Sequence, residues 1–296
     1  MEISKALVSV IIPTYKRPNE LIRAVNSVLN QTYNNTEIII VDDNGKDTEF
    51  QIETEKSVYN NFSDEKKVKY LIKEKNSGLS DSRNTGVNIA KGKYVTFLDD
   101  DDEFDKNKII EQLSLMNNYD VVYCAGLMMG TNKIIGFNDK ISQVLISHIK
   151  KRLTPVGIGA SLFIKKEIYG KGFDVDLVSF SEDLDMQINL IAKGYKVGFL
   201  NKPLYIVNFD SSEAQRITTS NLRLKPKELH NRTFAIRKNA LILGKWYSNL
   251  GIAMIYLQYF HRRKNPLPYI KEAIVQTNIF IVFIAFIKFT LAKIKN

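Results

Sequence analysis

Four consecutive aspartates, Asp99–Asp102, follow directly on the apolar run Tyr94-Val95-Thr96-Phe97-Leu98. The run reads as a buried strand, so the fold must bring a strand end to a place that tolerates four adjacent carboxylates. Like charges on neighbouring residues repel, and a cation or protonation relieves them. A divalent metal carrying a phosphorylated ligand fits, because hard cations take oxygen ligands and leave positions for phosphate. A solvated acidic turn leading into a helix near Lys106 is the plainer reading, and the run alone does not choose between them.

The flanking pattern supplies context. Leu7–Ile12 is a short apolar run stopped by Pro13, and Pro18 stands where a first helical turn begins, ahead of Leu21, Ile22, Val25, Val28 and Leu29 at helical spacing. Glu37–Val41 reads as a second buried strand, closed by the turn cluster Asp42-Asp43-Asn44-Gly45. Val68–Ile72 is a third strand, and the segment after Asn76-Ser77-Gly78 is predicted helical to about Lys91 with Gly92 closing it. Tyr94–Leu98 is the fourth strand. Alternating strands and helices argue a parallel sheet with helices on both faces. Right-handed crossovers then put Pro13–Pro18, Asp42–Gly45 and Asp99–Asp102 at one edge, where open α/β sheets bind ligands.

Beyond Asp120 the runs shorten: Val121–Ala125, Ile134–Phe137, Ser161–Ile164, Lys196–Leu200 and Leu204–Val207. They predict a mixed or antiparallel extension of the sheet, with one helix over Glu182–Ala192. The single cysteine, Cys124, lies in an apolar run and excludes an intramolecular disulfide or a cysteine zinc site. The first residues do not resemble a signal peptide, so an intracellular chain is expected.

Charge is unevenly placed. From Arg216 onward there are 15 Lys+Arg against Glu228 and Glu272, whereas residues 1–215 hold 27 Lys+Arg against 30 acids. The sequence thus divides into a domain over 1–215 and a basic, helical region over 216–296. No nucleic-acid motif accompanies the basic region, so a nucleic-acid partner is not expected. The same region holds the most hydrophobic segment, with Ile279–Ile287 unbroken by any polar residue. Counted over Ala273–Ile294 it approaches the length of a spanning helix, but Gln276, Thr277, Asn278 and Lys288 argue for a helix lying on a membrane surface. A buried core helix, or one pairing two copies in a homo-oligomer, is the alternative.

Taken together, Val8–Tyr15, Ile40–Asp43, Asn76–Asn84, Ala90–Tyr94, Phe97–Asp102 and Glu182-Asp183 resemble, in order and spacing, a family-2 inverting glycosyltransferase with the GT-A fold. The resemblance covers about residues 7–210. It implies an α/β fold of GT-A (Rossmann-like) type, a mixed sheet flanked by helices, here with a C-terminal helical extension. It also implies a nucleotide-sugar donor, most simply a UDP-sugar, and a Mn²⁺ or Mg²⁺ cofactor. Pro13, Thr14, Tyr15 and Arg17 would line the nucleotide pocket. Asp43, with Asp42 second, would accept a hydrogen bond from the base, and Arg83 would contact a phosphate. Asp99 and Asp101 form the Asp-x-Asp pair that meets ribose and metal, with Asp100 in the same binding set. Asp183 would be the general base of a direct displacement, and Glu182 would orient the acceptor.

Two departures from the family pattern matter. After Asp183 there is no Gln-x-x-Arg-Trp motif, since Gln187 is followed by Ile-Asn-Leu-Ile, which argues against processive synthesis. A histidine that often supplies a further metal ligand is replaced by Asn208–Ser212, where Asp210 could substitute. The expected activity is transfer of one sugar per turnover to a glycan or lipid-linked acceptor in cell-surface polysaccharide synthesis, peripheral to the inner face of the cell membrane. Rival readings are a sugar nucleotidyltransferase, disfavoured by the lack of glycine in Pro13–Pro18, and a nucleotide-sugar-binding protein without transferase activity.

Overall fold

The computed structural model describes residues 5–136, 141–152, 157–177, 181–208, 229, 233–260 and 267–294. Two compact units are formed: residues 1–145, 156–175 and 193–209 make one, and residues 146–155, 176–192 and 210–296 the other. The basic C-terminal region thus shares its unit with two earlier segments.

The first unit holds the sheet. Strands β1 (Val8–Thr14), β2 (Thr36–Asp42), β3 (Val68–Ile72) and β4 (Tyr94–Phe97) are separated by helices α1 (Pro18–Leu29), α2 (Glu49–Phe62) and α3 (Leu79–Ile89). β1 runs parallel to β2 and β4, and β2 parallel to β3, so all four end on the same edge. Every residue of β1, β2 and β4 is buried, as expected for parallel strands covered on both faces. After the two-residue β5 (Glu103–Phe104) and α4 (Lys108–Ser114) come β6 (Val121–Met128), β7 (Lys133–Ile135), β8 (Ile141–Gln143), β9 (Phe163–Lys165) and β10 (Val197–Val207).

The order is β3-β2-β1-β4-β9-β6-β10-β5, with β7 on β6 and β8 on β10. β9 pairs antiparallel with both β4 and β6, which makes the sheet mixed, as the short runs beyond Asp120 predict. The two segments expected around Leu200 and Leu204 are one strand, whose register against β6 shifts at Pro203 because proline cannot donate to the ladder. α2 escapes the apolar pattern because half its buried face is polar: Gln51 and Thr54 stand beside Val58 and Phe62.

Gly92 has a different purpose from the expected helix stop. α3 ends at Ile89, and a Cβ on Gly92 would lie 2.5 Å from Ser9 Oγ and 2.7 Å from Ser9 N. The glycine lets this segment press against β1, where its N–H donates to Ser9 Oγ at 2.9 Å. Ser9 in turn donates to Glu37 at 2.6 Å, and Lys91 N donates to the same carboxylate at 2.6 Å.

The second unit contains α5 (Ile146–Arg152), α6 (Ser181–Ala192), α7 (Phe234–Lys238), α8 (Ala240–Leu243), α9 (Lys245–Phe260), α10 (Leu267–Gln276) and α11 (Ile279–Ile294). The apolar stretch over Ala273–Ile294 is two helices. Thr277 bonds back to Ala273 O, and Asn278 Oδ1 accepts Ile281 N–H at 2.9 Å, capping α11. Among the described residues no helix is long and apolar enough to cross a membrane.

Candidate active site

The polar clusters that follow β1, β2 and β4 meet at the sheet edge. After Thr14 the chain turns sharply: Lys16 has φ 60°, in the left-handed region, and its N–H donates to Asn44 Oδ1 at 2.8 Å. Asp43 N–H donates to Thr14 O at 3.0 Å, tying the β1 and β2 turns together. Asp100 ties the β1 turn to the acidic run. Its carboxylate accepts from Thr14 Oγ1 at 2.8 Å, Tyr15 N at 3.1 Å and Arg17 Nη1 at 2.9 Å. Arg17 also reaches Asp101 at 3.0 Å. Pro13 is buried within β1, while the Tyr15 ring is 44% exposed under Lys16 Nζ.

The four aspartates therefore divide by environment. Asp100 is buried, and desolvation, helped by the like charge of Asp101, pushes its carboxyl up to about 7 in spite of Arg17. Asp102 is also buried and accepts from Asn208 N at 3.2 Å. Asp99 and Asp101 keep 28% and 17% of their side chains exposed, each beside an arginine. Asp99 accepts from Arg83 Nη2 at 2.8 Å.

Asp42 and Asp43 divide in the same way. Asp42 is fully buried; it accepts from Tyr70 Oη and, at 2.8 Å, from Asn44 N, and burial raises its pKa. It is a structural anchor of β2. Asp43 holds the segment that opens α3, accepting Ser77 N at 2.9 Å and Gly78 N at 2.8 Å, with Lys73 Nζ at 2.8 Å. An open cleft of about 490 Å³ lies alongside, lined by Leu71, Lys73, Lys75, Ser77, Asp81 and Thr85 among others.

Arg83 is only 2% exposed, and its guanidinium sits 5.0 Å from the Phe173 ring centroid and 6.0 Å from that of Phe97. A Cβ on Gly159 would come within 2.4 Å of it. Such enclosure suits a residue that fixes Asp99 better than one reaching into solvent for a phosphate. Neighbouring Asn84 binds the strand-flanking loop, accepting Phe173 N at 3.0 Å and Tyr169 Oη at 2.7 Å.

Several site residues were given no role by the sequence. Lys73 bridges Asp43 and Asp81, Arg23 lies 3.2 Å from Glu103, and Asn208 Nδ2 donates to Asp101 O at 3.2 Å and to Glu103 at 3.0 Å. Only contact across 70 residues or more identifies Arg23 and Asn208, a distance at which spacing carries no signal. Asp183 and Glu182 lie in the second unit, buried on the first turn of α6, where acids suit the helix dipole. Asp210 lies outside the described residues.

The chemistry of the donor set decides whether a divalent cation fits. Among the described residues no cluster of three His, Cys, Asp or Glu side chains forms a ligand cage. Asp99 and Asp101 are nevertheless hard oxygen donors that keep partial exposure. Mg²⁺-type sites commonly use one or two carboxylates and complete themselves with phosphate and water. The residues fit such an open site.

Comparison with known proteins bears on the family and the fold. A family model described as glycosyl transferase family 2 matches residues 9–173. An uncharacterized glycosyltransferase of Rickettsia prowazekii is 42% identical over 122 residues, 40% of this chain and 36% of that protein. The Escherichia coli UDP-Glc:alpha-D-GlcNAc-diphosphoundecaprenol beta-1,3-glucosyltransferase WfgD is 35% identical over 133 residues, 44% of this chain and 49% of that one. These matches thus span half or less of the relatives' own lengths. The fold resembles that of S. aureus TarS 1-349 crystallised with UDP-GlcNAc, with a TM-score of 0.64 at 19% identity over 90% of this chain and 79% of that one. The matched model covers more than half of the sequence and includes the strand ends that meet at the acidic turn, and the chain belongs to glycosyl transferase family 2.

Proposed function

We propose that this glycosyltransferase moves single sugar units, with inversion and in a metal-dependent reaction, from a UDP-sugar to a hydroxyl of a glycan or lipid-linked acceptor at a membrane surface. The observation that carries the reading is the sharing of Asp100 between the Thr14–Arg17 turn and the acidic run, which leaves Asp99 and Asp101 at the sheet edge. Thr14, Tyr15 and Arg17 bound the donor pocket. Asp43 and the cleft beside Lys73 would receive the base, and Asp99 and Asp101 would hold a Mn²⁺ or Mg²⁺ ion. When bound, the ion supplies neutralising charge for a departing diphosphate.

Asp183 takes the acceptor hydroxyl proton as the acceptor oxygen bonds to the anomeric carbon. The bond from that carbon to the diphosphate oxygen breaks, and the diphosphate leaves with its electron pair. Glu182 orients the acceptor. WfgD, whose name gives UDP-Glc as donor and a diphosphoundecaprenol-linked sugar as acceptor, supports this choice of substrate classes. A panel of UDP-sugars assayed for UDP release, with Mn²⁺, Mg²⁺ or chelator, tests the reading. Asp183→Asn is expected to retain UDP binding and lose transfer, and near-normal turnover of that variant would remove the base assignment.

A further inference from the structure

The C-terminal helices of the second unit carry large exposed apolar side chains that the site does not use. Gln276, the last residue of α10, accepts Arg237 Nη2 at 2.7 Å, which ties the end of α10 to α7. α9 packs against both α10 and α11, and α8 packs against α9. On α8 Leu241 is 100% exposed, and at the start of α11 Ile279 is 71% and Phe280 67% exposed. Trp246 is 47% exposed and packs edge-on against Tyr247, with ring centroids 4.8 Å apart. On α11, Phe283 and Ile287 continue the exposed stripe, while Ile281, Val282 and Ala285 on the other face are buried.

We infer that Leu241, Trp246, Ile279 and Phe280, with the α11 stripe, form one surface that inserts into the headgroup region of an anionic bilayer. The inference rests on the membrane-surface reading above and names the contact. Trp and Tyr favour the bilayer interface, where an apolar ring can be buried and a polar tip stay wet. Lys245 and Lys271 are exposed on the same helices, Lys150 Nζ lies 5.3 Å from the Tyr247 ring centroid, and the sequence from Arg216 carries a basic excess of 13. An anionic lipid surface neutralises that charge. A second copy would set like charge against like, and a nucleic acid would leave Leu241, Ile279 and Phe280 unburied. The two short helices α10 and α11 suit a surface-lying contact, since neither can span.

Trp246 is the chain's single tryptophan and reports directly on the inferred surface. The experiment uses the full chain with vesicles of phosphatidylcholine alone, or of equal parts phosphatidylcholine and phosphatidylglycerol. With the anionic vesicles, Trp246 emission should shift to the blue and be quenched by brominated acyl chains. The double variant Leu241→Asp, Phe280→Asp, checked for retained fold by circular dichroism, should bind at least about tenfold more weakly. If the chain sediments with anionic vesicles but Trp246 is neither shifted nor quenched, the membrane reading stands and this contact surface is wrong. If neither vesicle is bound, both fall. A blue shift that follows protein concentration without lipid would make the surface an interface between copies and overturn the inference.

Discussion

Arg83 and Asp99 act as a pair whose geometry depends on a third residue. The guanidinium fills space that a side chain on Gly159 would occupy, since a Cβ at that position would lie only 2.4 Å from Arg83 Nη2. Gly159→Ala should displace Arg83 and deprive Asp99 of its 2.8 Å partner. A charge-assisted bond of this kind contributes about 1.5–3 kcal/mol, so Mn²⁺-dependent UDP binding should weaken by about tenfold or more in calorimetry. An unchanged affinity would mean that Asp99 does not rely on Arg83. Lys108 offers a separate test. It is fully buried, donates to Thr96 Oγ1 at 2.9 Å, and burial pushes its pKa down to about 8. In the unfolded chain a lysine stays protonated to about pH 10.4. Between roughly pH 8 and 10 the unfolded state therefore binds more protons, and stability rises with pH. Urea unfolding of Lys108→Met should lack this rise and show a gain on the order of 2 kcal/mol at neutral pH.

At the scale of elements, the parallel strands were legible because they are short apolar runs closed by turn residues, and that pattern is local. The convergence of their ends was also legible, since handed crossovers leave little choice of edge. What stayed hidden required contacts far apart in sequence. Gly92 reads as a helix stop until Ser9 is placed against it, and α2 buries Gln51 and Thr54 on the face that apolar periodicity would mark. Gly92→Ala should force Ser9 and the β1 backbone apart and lower stability by about 1–3 kcal/mol, read as a fall in melting temperature. Glu37 sits in the same network. Burial opposes its ionisation, but bonds from Lys69, Ser9 and Lys91 outweigh it and hold its pKa below the ordinary carboxylate value. Its contribution is present above that ordinary value, about 4.3, and is lost as pH falls through the lowered one. Melting temperatures of Glu37→Gln should accordingly fall less steeply than those of the parent chain below about pH 4.3.

For the whole molecule, the sequence separates a slightly acidic body from a basic tail, and the compact units add two earlier segments to the tail's side. Periodicity marked the tail as helical and apolar. Only the Asn278 cap shows why Ala273–Ile294 is two helices and not one. Motif chemistry singles out Asp99 and Arg83 as residues, but not the bond between them, and the inward engagement of Asp42 and Asp100 depends on burial that no single sequence displays. The proposed activity requires that the partly exposed aspartates hold a cation bearing a diphosphate. Calorimetric titration of UDP into the full chain, with Mn²⁺ and with chelator, for the parent and for Asp101→Ala, measures this directly. Binding should appear with Mn²⁺ and vanish both with chelator and in Asp101→Ala, whereas equal affinity in all three would contradict it.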